Sequence, residues 1–225
     1  MIARYQQLQT YQSDKKHVAL INYEGGRAIL KLSEDASKSS KEADVMTKVS
    51  YTGYAPKVLG RYDNYFICEY IEGESFLQEF SGATMSDDVA RLESLAGSLA
   101  IFMQMFHSVC GGYILGNIDF GNFVLQDGRC IGISYDGVTE GLPYRDVAEV
   151  VAFAITRAYG GYYSCFPFVS KFLECFHLKV MDIVNDVDDA LSRYDPTSTL
   201  DKHAVTEALI SFEEKGTAWK IINNK

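Results

Sequence analysis

The chain has 225 residues, of which 47% are hydrophobic and 13% aromatic, enough for a well-buried core in one domain or two packed lobes. Its net charge of −9, from 30 acidic against 21 basic residues, argues against nucleic acid as a partner. The five scattered cysteines form no C-x-x-C pair, which argues against a disulfide framework and a zinc site. The chain has no apolar run long enough for a membrane span, and a cytoplasmic protein is expected.

The first third of the chain has the patterns of β structure. Strands are predicted over 5–11, 17–23, 27–32, 57–62 and 65–70. A tight turn at 24–26 joins the second and third of these strands, which suggests an antiparallel meander. Apolar residues at roughly helical spacing predict one helix over 35–50.

After Ile71 the composition changes and helical periodicity takes over. Helices are predicted over 88–109, 146–159, 166–185, 187–194 and 201–215. A hairpin over 123–133 turns at Asp127-Gly128. The sequence therefore predicts an α+β protein with a β-rich segment over 1–71 and a helical segment over 72–225.

Several local motifs follow one another along the chain. They are A-I-L-K (28–31), K-E-A-D-V-M (41–46), F-I-C-E-Y-I-E-G (66–73), L-G-N-I-D-F-G-N (115–122), I-S-Y-D (133–136) and Y-R-D-V-A (144–148). In this order and at these spacings they resemble the protein-kinase-like fold over nearly the whole chain. The branch they resemble includes aminoglycoside phosphotransferases, lipopolysaccharide kinases and small atypical Ser/Thr kinases. The resemblance implies a bilobal protein with an antiparallel sheet and one helix in the N-terminal lobe, 1–71, and a mainly helical lobe, 72–225.

The resemblance also implies a site for ATP. Lys31 would hold the α- and β-phosphates, and Glu42 would hold the ammonium group of that lysine. Backbone groups at the hinge, near Glu69 and Ile71, would meet the adenine. The alternative for Lys31 and Glu42 is a plain ion pair that braces strand against helix.

Two positions depart from the family pattern in a way that affects chemistry. Asn117 stands where the family has the catalytic base aspartate, and an amide has no proton affinity near neutral pH. Ser134 stands where the family has the acid that binds Mg²⁺, and a hydroxyl is a poor ligand for that ion. Leu115 replaces the family histidine, and Asn122 remains as the metal-binding asparagine. Losing a base costs about 10²–10⁴ in rate, so impaired catalysis is expected.

Two nearby acids could replace the missing ones. Asp119 lies two residues after Asn117 and is a candidate substitute base. Asp136 lies two residues after Ser134, so in an extended segment it points to the same side and could share a metal with Asn122. The alternative is that both are loop acids that make turn hydrogen bonds.

Three functional interpretations follow. The first is a pseudokinase with weak or no ATP binding that acts in regulation or interaction with a protein partner. The second is an active ATP- and Mg²⁺-dependent phosphotransferase, acting on a protein hydroxyl or a small molecule through Asp119 and Asp136. The third is an interaction module whose nucleotide cleft is filled by Phe66, Tyr70 or Tyr135.

Three further residues receive structural roles. Asp146 is expected to brace the 115–122 loop through backbone hydrogen bonds, as its family position implies. His107 is expected to cap its helix or to make a hydrogen bond in the core. Trp219 is expected to be a packing anchor.

Overall fold

The computed structural model describes residues 5–11, 16–195, 197 and 200–215. Within these residues the protein is a mixed α+β fold with an antiparallel sheet and seven α-helices. The predicted α+β class is therefore confirmed. Trp219 lies outside the described residues.

The main sheet has five antiparallel strands in the order β1-β2-β3-β5-β4. Their bounds are β1 Gln6–Tyr11, β2 Lys16–Tyr23, β3 Gly26–Ser33, β4 Val58–Arg61 and β5 Tyr65–Glu69. The turn between β2 and β3 has positive φ at both Glu24 (53°) and Gly25 (85°), as a two-residue turn matched to strand twist requires. The predicted meander is present as β1-β2-β3, and β4 and β5 form an antiparallel pair.

The two faces of this sheet pack differently. Residues paired directly across antiparallel strands share a face, so Ile29 and Lys31 lie with their β5 partners Cys68 and Phe66. The opposite face holds a separate small apolar cluster, formed by Ala19, Ile21, Ala28, Leu30 and Ile67. Lys31 is thus placed on the face that meets the main core of the protein.

Helix α1, Ala36–Ser50, follows β3 and lies against β3 and β5. Asp35 caps its N-terminus by accepting hydrogen bonds from the backbone N–H groups of Ser37 and Lys38. Glu42 is buried on the inner side of this helix, together with Ala43 and Met46. The packing of α1 therefore carries Glu42 toward Lys31.

The remaining helices follow in chain order. They are α2 Phe76–Ser86, α3 Val89–Val109, α4 Pro143–Arg157, α5 Phe166–Cys175, α6 Val180–Tyr194 and α7 Lys202–Lys215. Short strands form two further antiparallel sheets. One has the order β6-β8-β9, with β6 Glu74–Ser75, β8 Phe123–Gln126 and β9 Arg129–Gly132. The other pairs β7 Tyr113–Ile114 with β10 Thr139–Glu140. Within the described part of the chain, no helix combines the length and apolar character that a membrane span needs.

The helix boundaries after Phe166 differ from those predicted. The single helix expected over 166–185 is two helices, separated where His177 takes a positive φ of 56°. The residues 187–194, expected as a separate helix, belong to α6. Helix α2 was not predicted at all.

Phenylalanine rings fix the position of the loop at 115–122 within the core. Phe120 lies in a short 3₁₀ turn, Phe120–Asn122, and is fully buried. Its ring centroid is 5.1 Å from that of Phe76, 5.0 Å from Phe80 and 5.6 Å from Phe168. Each such aromatic pair stabilises the fold by about 0.5–1.5 kcal/mol more than the burial of its apolar area, so the Phe120 ring anchors this loop in the core.

Candidate functional site

The candidate site is built around a buried ion pair. Lys31 on β3 donates from its Nζ to Oε1 of Glu42 on α1 at 2.9 Å, and the two side chains are 7% and 1% exposed. Lys31 Nζ also donates to the backbone carbonyl of Ile133 at 2.6 Å. Two of the three N–H donors of the ammonium group are thus used within the protein.

Glu42 connects the same pair to the residues after Ile133. Its Oε1 accepts from the backbone N–H of Tyr135 at 3.2 Å and lies 3.4 Å from the hydroxyl of Ser134. A second lysine on α1, Lys41, donates to the carbonyl of Val138 at 2.7 Å. Strand β3 and helix α1 are therefore both bonded to the 133–138 segment through charged side chains and backbone groups.

Asp146 at the start of α4 braces the 115–122 loop. This carboxylate is fully buried and accepts hydrogen bonds from the backbone N–H groups of Leu115 at 2.8 Å and Gly116 at 3.0 Å. His107 Nε2 lies 2.8 Å from Oδ2 of this carboxylate, the same oxygen that accepts from Leu115. The roles expected for Asp146 and His107 are both confirmed.

Helix α6 holds the middle of this loop. The phenol oxygen of Tyr194 accepts from the backbone N–H of Ile118 at 3.0 Å and donates to the carbonyl of the same residue at 2.9 Å. Burial raises the pKa of Tyr194, so the phenol remains protonated and able to donate. The loop is therefore fixed by side chains from α4 and α6 on either side.

The loop and the 133–138 segment approach each other closely. Gly116 has φ of +76°, and a Cβ there would lie 2.5 Å from the carbonyl oxygen of Gly137. The backbone N–H of Ile133 donates to the carbonyl of Asn122 at 2.9 Å. These contacts bring together the two segments in which the sequence placed catalytic and metal-binding residues.

The polar side chains at these positions lie toward the surface. Asn117, Asp119 and Asp136 are exposed, and Asn122 and Ser134 are half-buried. Asp119 Oδ1 accepts from the backbone N–H of Gly121 at 2.7 Å and so caps the 3₁₀ turn. Asp136 Oδ1 lies 3.5 Å from the hydroxyl of Ser134. Both acids thus have a local contact within two residues along the chain.

The positions that the sequence assigned to a metal, Asn122 and Asp136, offer one amide and one carboxylate. Mg²⁺ in proteins is held by one or two carboxylates together with phosphates and water, in near-octahedral geometry. Asp136 is the one carboxylate near Ser134 and Asn122 that the sequence assigned to the metal, and it is exposed. Among the described residues, no group of three or more His, Cys, Asp and Glu side chains could hold a metal ion.

The predicted hinge lies at the end of β5. Glu69 pairs with Ala28, and its side chain accepts from the backbone N–H of Lys57 at 3.0 Å. Ile71 follows the strand and is half-buried. Glu69 is the last residue of β5 and Ile71 lies two residues beyond it, and their role toward adenine stays a prediction.

The aromatic residues proposed to fill a cleft have different positions. Phe66 and Tyr135 are buried in the main core, where Tyr135 stacks on Phe106 with ring centroids 6.0 Å apart. Tyr70 is half-buried and lies under the guanidinium group of Arg27 at 4.6 Å.

Three contributors to this site were not predicted from the sequence: the carbonyl of Ile133, the phenol of Tyr194 and the ammonium group of Lys41. Every residue has a backbone carbonyl, so the sequence gives no sign of which carbonyl will accept a hydrogen bond from Lys31. Tyr194 lies 76 residues from its partner, and only the packing of α6 brings it there. Lys41 lies one residue before Glu42, so its placement on the helix that carries Glu42 was the one available signal.

Neither a scan against protein-family models nor a search of curated proteins gives a match for this chain.

Proposed function

We propose that this protein is a pseudokinase: a kinase-like chain that does not transfer phosphate and acts in regulation or interaction with a protein partner. The sequence resemblance supplies the family, and the strand order and the placement of Lys31, Glu42 and Asp146 support it. In this proposal the β-rich segment 1–71 and the helical segment 72–225 are its two lobes.

The observation that carries the proposal is the internal use of Lys31. Lys31 is buried, and its ammonium group is bonded to Glu42 and to the Ile133 carbonyl. A phosphate group would have to displace that carbonyl or enter beside the ring of Phe66, 5.9 Å from Nζ. The pair is therefore best explained as a brace between β3, α1 and the 133–138 segment.

The chemistry around the brace points the same way. Asn117 cannot accept a proton, and Ser134 offers Mg²⁺ a neutral hydroxyl that already lies near Glu42. For an active phosphotransferase, Asp119 would have to leave its turn and Asp136 would have to hold a metal from an exposed position. The contacts described for Asp119 and Asp136 are local and do not favour that alternative, which is therefore one outcome of the test.

The test is thermal unfolding with ATP, with and without Mg²⁺ or Mn²⁺, on the wild type and on Lys31→Met. A ligand at about 100 times its Kd adds about 2.7 kcal/mol, a shift of several degrees for a chain of this size. We expect less than about 1 °C with metal and ATP, and no phosphoryl transfer to water or to added acceptors. Lys38→Met on the exposed side of α1 is the matched control.

Two results decide between the alternatives. Metal-dependent stabilisation that Lys31→Met abolishes and Lys38→Met retains, together with phosphoryl transfer, would overturn the proposal in favour of an enzyme. Stabilisation by ATP that needs no metal would retain the pseudokinase and add nucleotide sensing to it.

A further inference from the structure

The two edges of the main sheet differ in how they are protected. Strand β4 forms one edge and has only four residues, with an irregular register between Val58 and Gly60. Arg61 on this strand forms an ion pair with Asp44 and donates to the carbonyl of Ala43 at 2.9 Å. A short, irregular strand with a charged residue is what normally prevents an edge from pairing with another chain.

Strand β1 forms the other edge and has fewer of these protections. It is six residues long, Q-Q-L-Q-T-Y, with no charged residue and no proline, and each of its side chains is exposed. Leu8 is 51% exposed. Among the described strands, β2 is its one partner, which leaves the outer row of its backbone N–H and C=O groups available. One irregularity between Gln7 and Gln9 is its single protective feature within these residues.

The composition of β1 suits pairing with a copy of itself. A two-fold axis would place the strand antiparallel to its own copy, so that the residue on the axis faces itself and residues at equal distances on either side of it face each other. Glutamine amides carry both donors and acceptors, so with the axis at Leu8 the side chains of Gln7 and Gln9 face each other across the contact and can bond where like charges would repel. The exposed side chains of Leu8 and Tyr11 would add apolar contact.

The charge of the whole chain argues for this strand over other surfaces. At a net charge of −9, two copies repel each other across most contacts. Pairing through an uncharged strand forms backbone hydrogen bonds between the two copies without bringing charged side chains together. Salt screens repulsion between exposed charges, so association through β1 should strengthen as salt rises.

We propose that β1 pairs with the β1 strand of a second copy of this chain, antiparallel about a two-fold axis, and joins two five-stranded sheets into one. The proposal depends on the sheet edge alone and not on the function proposed for the Lys31 site. A single six-residue strand pairing buries less than the roughly 1,200 Å² of a standard stable interface, so the dimer should be weak, with a Kd between about 1 μM and 1 mM.

The experiment is analytical ultracentrifugation of the full chain from about 10 μM to about 1 mM, at low salt and at about 0.3 M salt. We expect a monomer–dimer equilibrium that strengthens with salt. Leu8→Lys brings two new charges together at the contact and should weaken association at least about tenfold. Leu59→Lys is the matched control, because Leu59 is 44% exposed on the opposite edge strand, and it should leave the equilibrium unchanged.

The remaining outcomes overturn the proposal. They are a monomer at every concentration, an equal loss of association in both variants, or a dimer that neither variant weakens. Thr10→Lys, also exposed on β1, is a second variant that keeps the test decisive if Leu8→Lys does not fold. Circular dichroism and a thermal melt establish that each variant is folded before association is compared.

Discussion

The buried half of the candidate site and its exposed half are organised by different rules. In the buried half, Lys31, Glu42 and Asp146 are nearly or fully inaccessible, and each makes at least two hydrogen bonds to other parts of the chain. In the exposed half, Asp119 and Asp136 have contacts within two residues of themselves. The bonds of the first group join elements far apart in sequence, whereas those of the second group shape a turn.

This difference shows which residues stability can retain without catalysis. A buried charge that loses its partner is costly, so Lys31 and Glu42 are constrained whether or not a nucleotide binds. An exposed loop position has no such constraint, and there Asn117 replaces the expected acid. Kinase-like residues in the buried half are therefore weak evidence for activity, and the exposed half is the better indicator.

The largest expected effect comes from breaking the buried ion pair. Lys31→Met leaves the Glu42 carboxylate buried without its cation, and Glu42→Leu leaves the ammonium group bonded only to the Ile133 carbonyl among the contacts described. Each change should lower the free energy of unfolding by about 3–5 kcal/mol, measured by urea denaturation. The double variant should cost clearly less than the sum of the two, because it leaves neither charge unpaired.

An exposed ion pair on the same sheet provides the control for that cycle. Lys57 and Glu69 lie 3.8 Å apart with side chains 72% and 37% exposed. Lys57→Met should change the free energy of unfolding by less than about 1 kcal/mol. A loss below about 1 kcal/mol for either single variant of the buried pair would contradict the bracing role.

A smaller effect is expected at Asp146. In Asp146→Asn the amide NH₂ must face one of the donors that the carboxylate accepts from, at Leu115, Gly116 or His107. Leaving one buried donor unpaired should cost about 1–3 kcal/mol. Hydrogen exchange at the amides of Leu115 and Gly116 should accelerate, because their acceptor is altered.

A neighbouring substitution separates this local effect from a general one. His107→Gln alters one donor and leaves both backbone bonds of Asp146 in place, so exchange at Leu115 and Gly116 should stay close to that of the wild type. Equal acceleration in both variants would mean that the loop is held by something other than this carboxylate.

The order of the first elements could be predicted from the sequence because their signals are local. Strand alternation and the turn at Glu24–Gly26 fix the meander, and apolar spacing fixes α1. The break after Cys175 could not be predicted, because Phe176 and Leu178 on either side of His177 are apolar like the helix residues before them. His177 ends the helix with a left-handed conformation that sequence assigns mainly to glycine or asparagine.

For the candidate site too, residues with a local motif could be predicted and contacts that depend on long-range packing could not. Lys31 and Glu42 were paired from their motifs, and the structure brings them together at 2.9 Å. The other acceptor for the Lys31 ammonium group, the Ile133 carbonyl, is a backbone group 102 residues away from Lys31. Its position depends on how the 133–138 segment packs, and the residue types in that segment do not predict this packing.

The smallest effects are expected in the exposed half, and they sharpen the comparison most directly. Asp136→Ala should leave the free energy of unfolding within about 0.5 kcal/mol of the wild type, because its carboxylate is exposed. Asp119→Ala removes the bond to the Gly121 amide, which water can replace, and should cost slightly more. Melts with ATP and Mg²⁺ should not distinguish either variant from the wild type. If both acids served a metal-dependent reaction, each variant would instead lose a ligand-induced shift that the wild type shows. Because the stability change is small, such a loss could only be assigned to ligand binding.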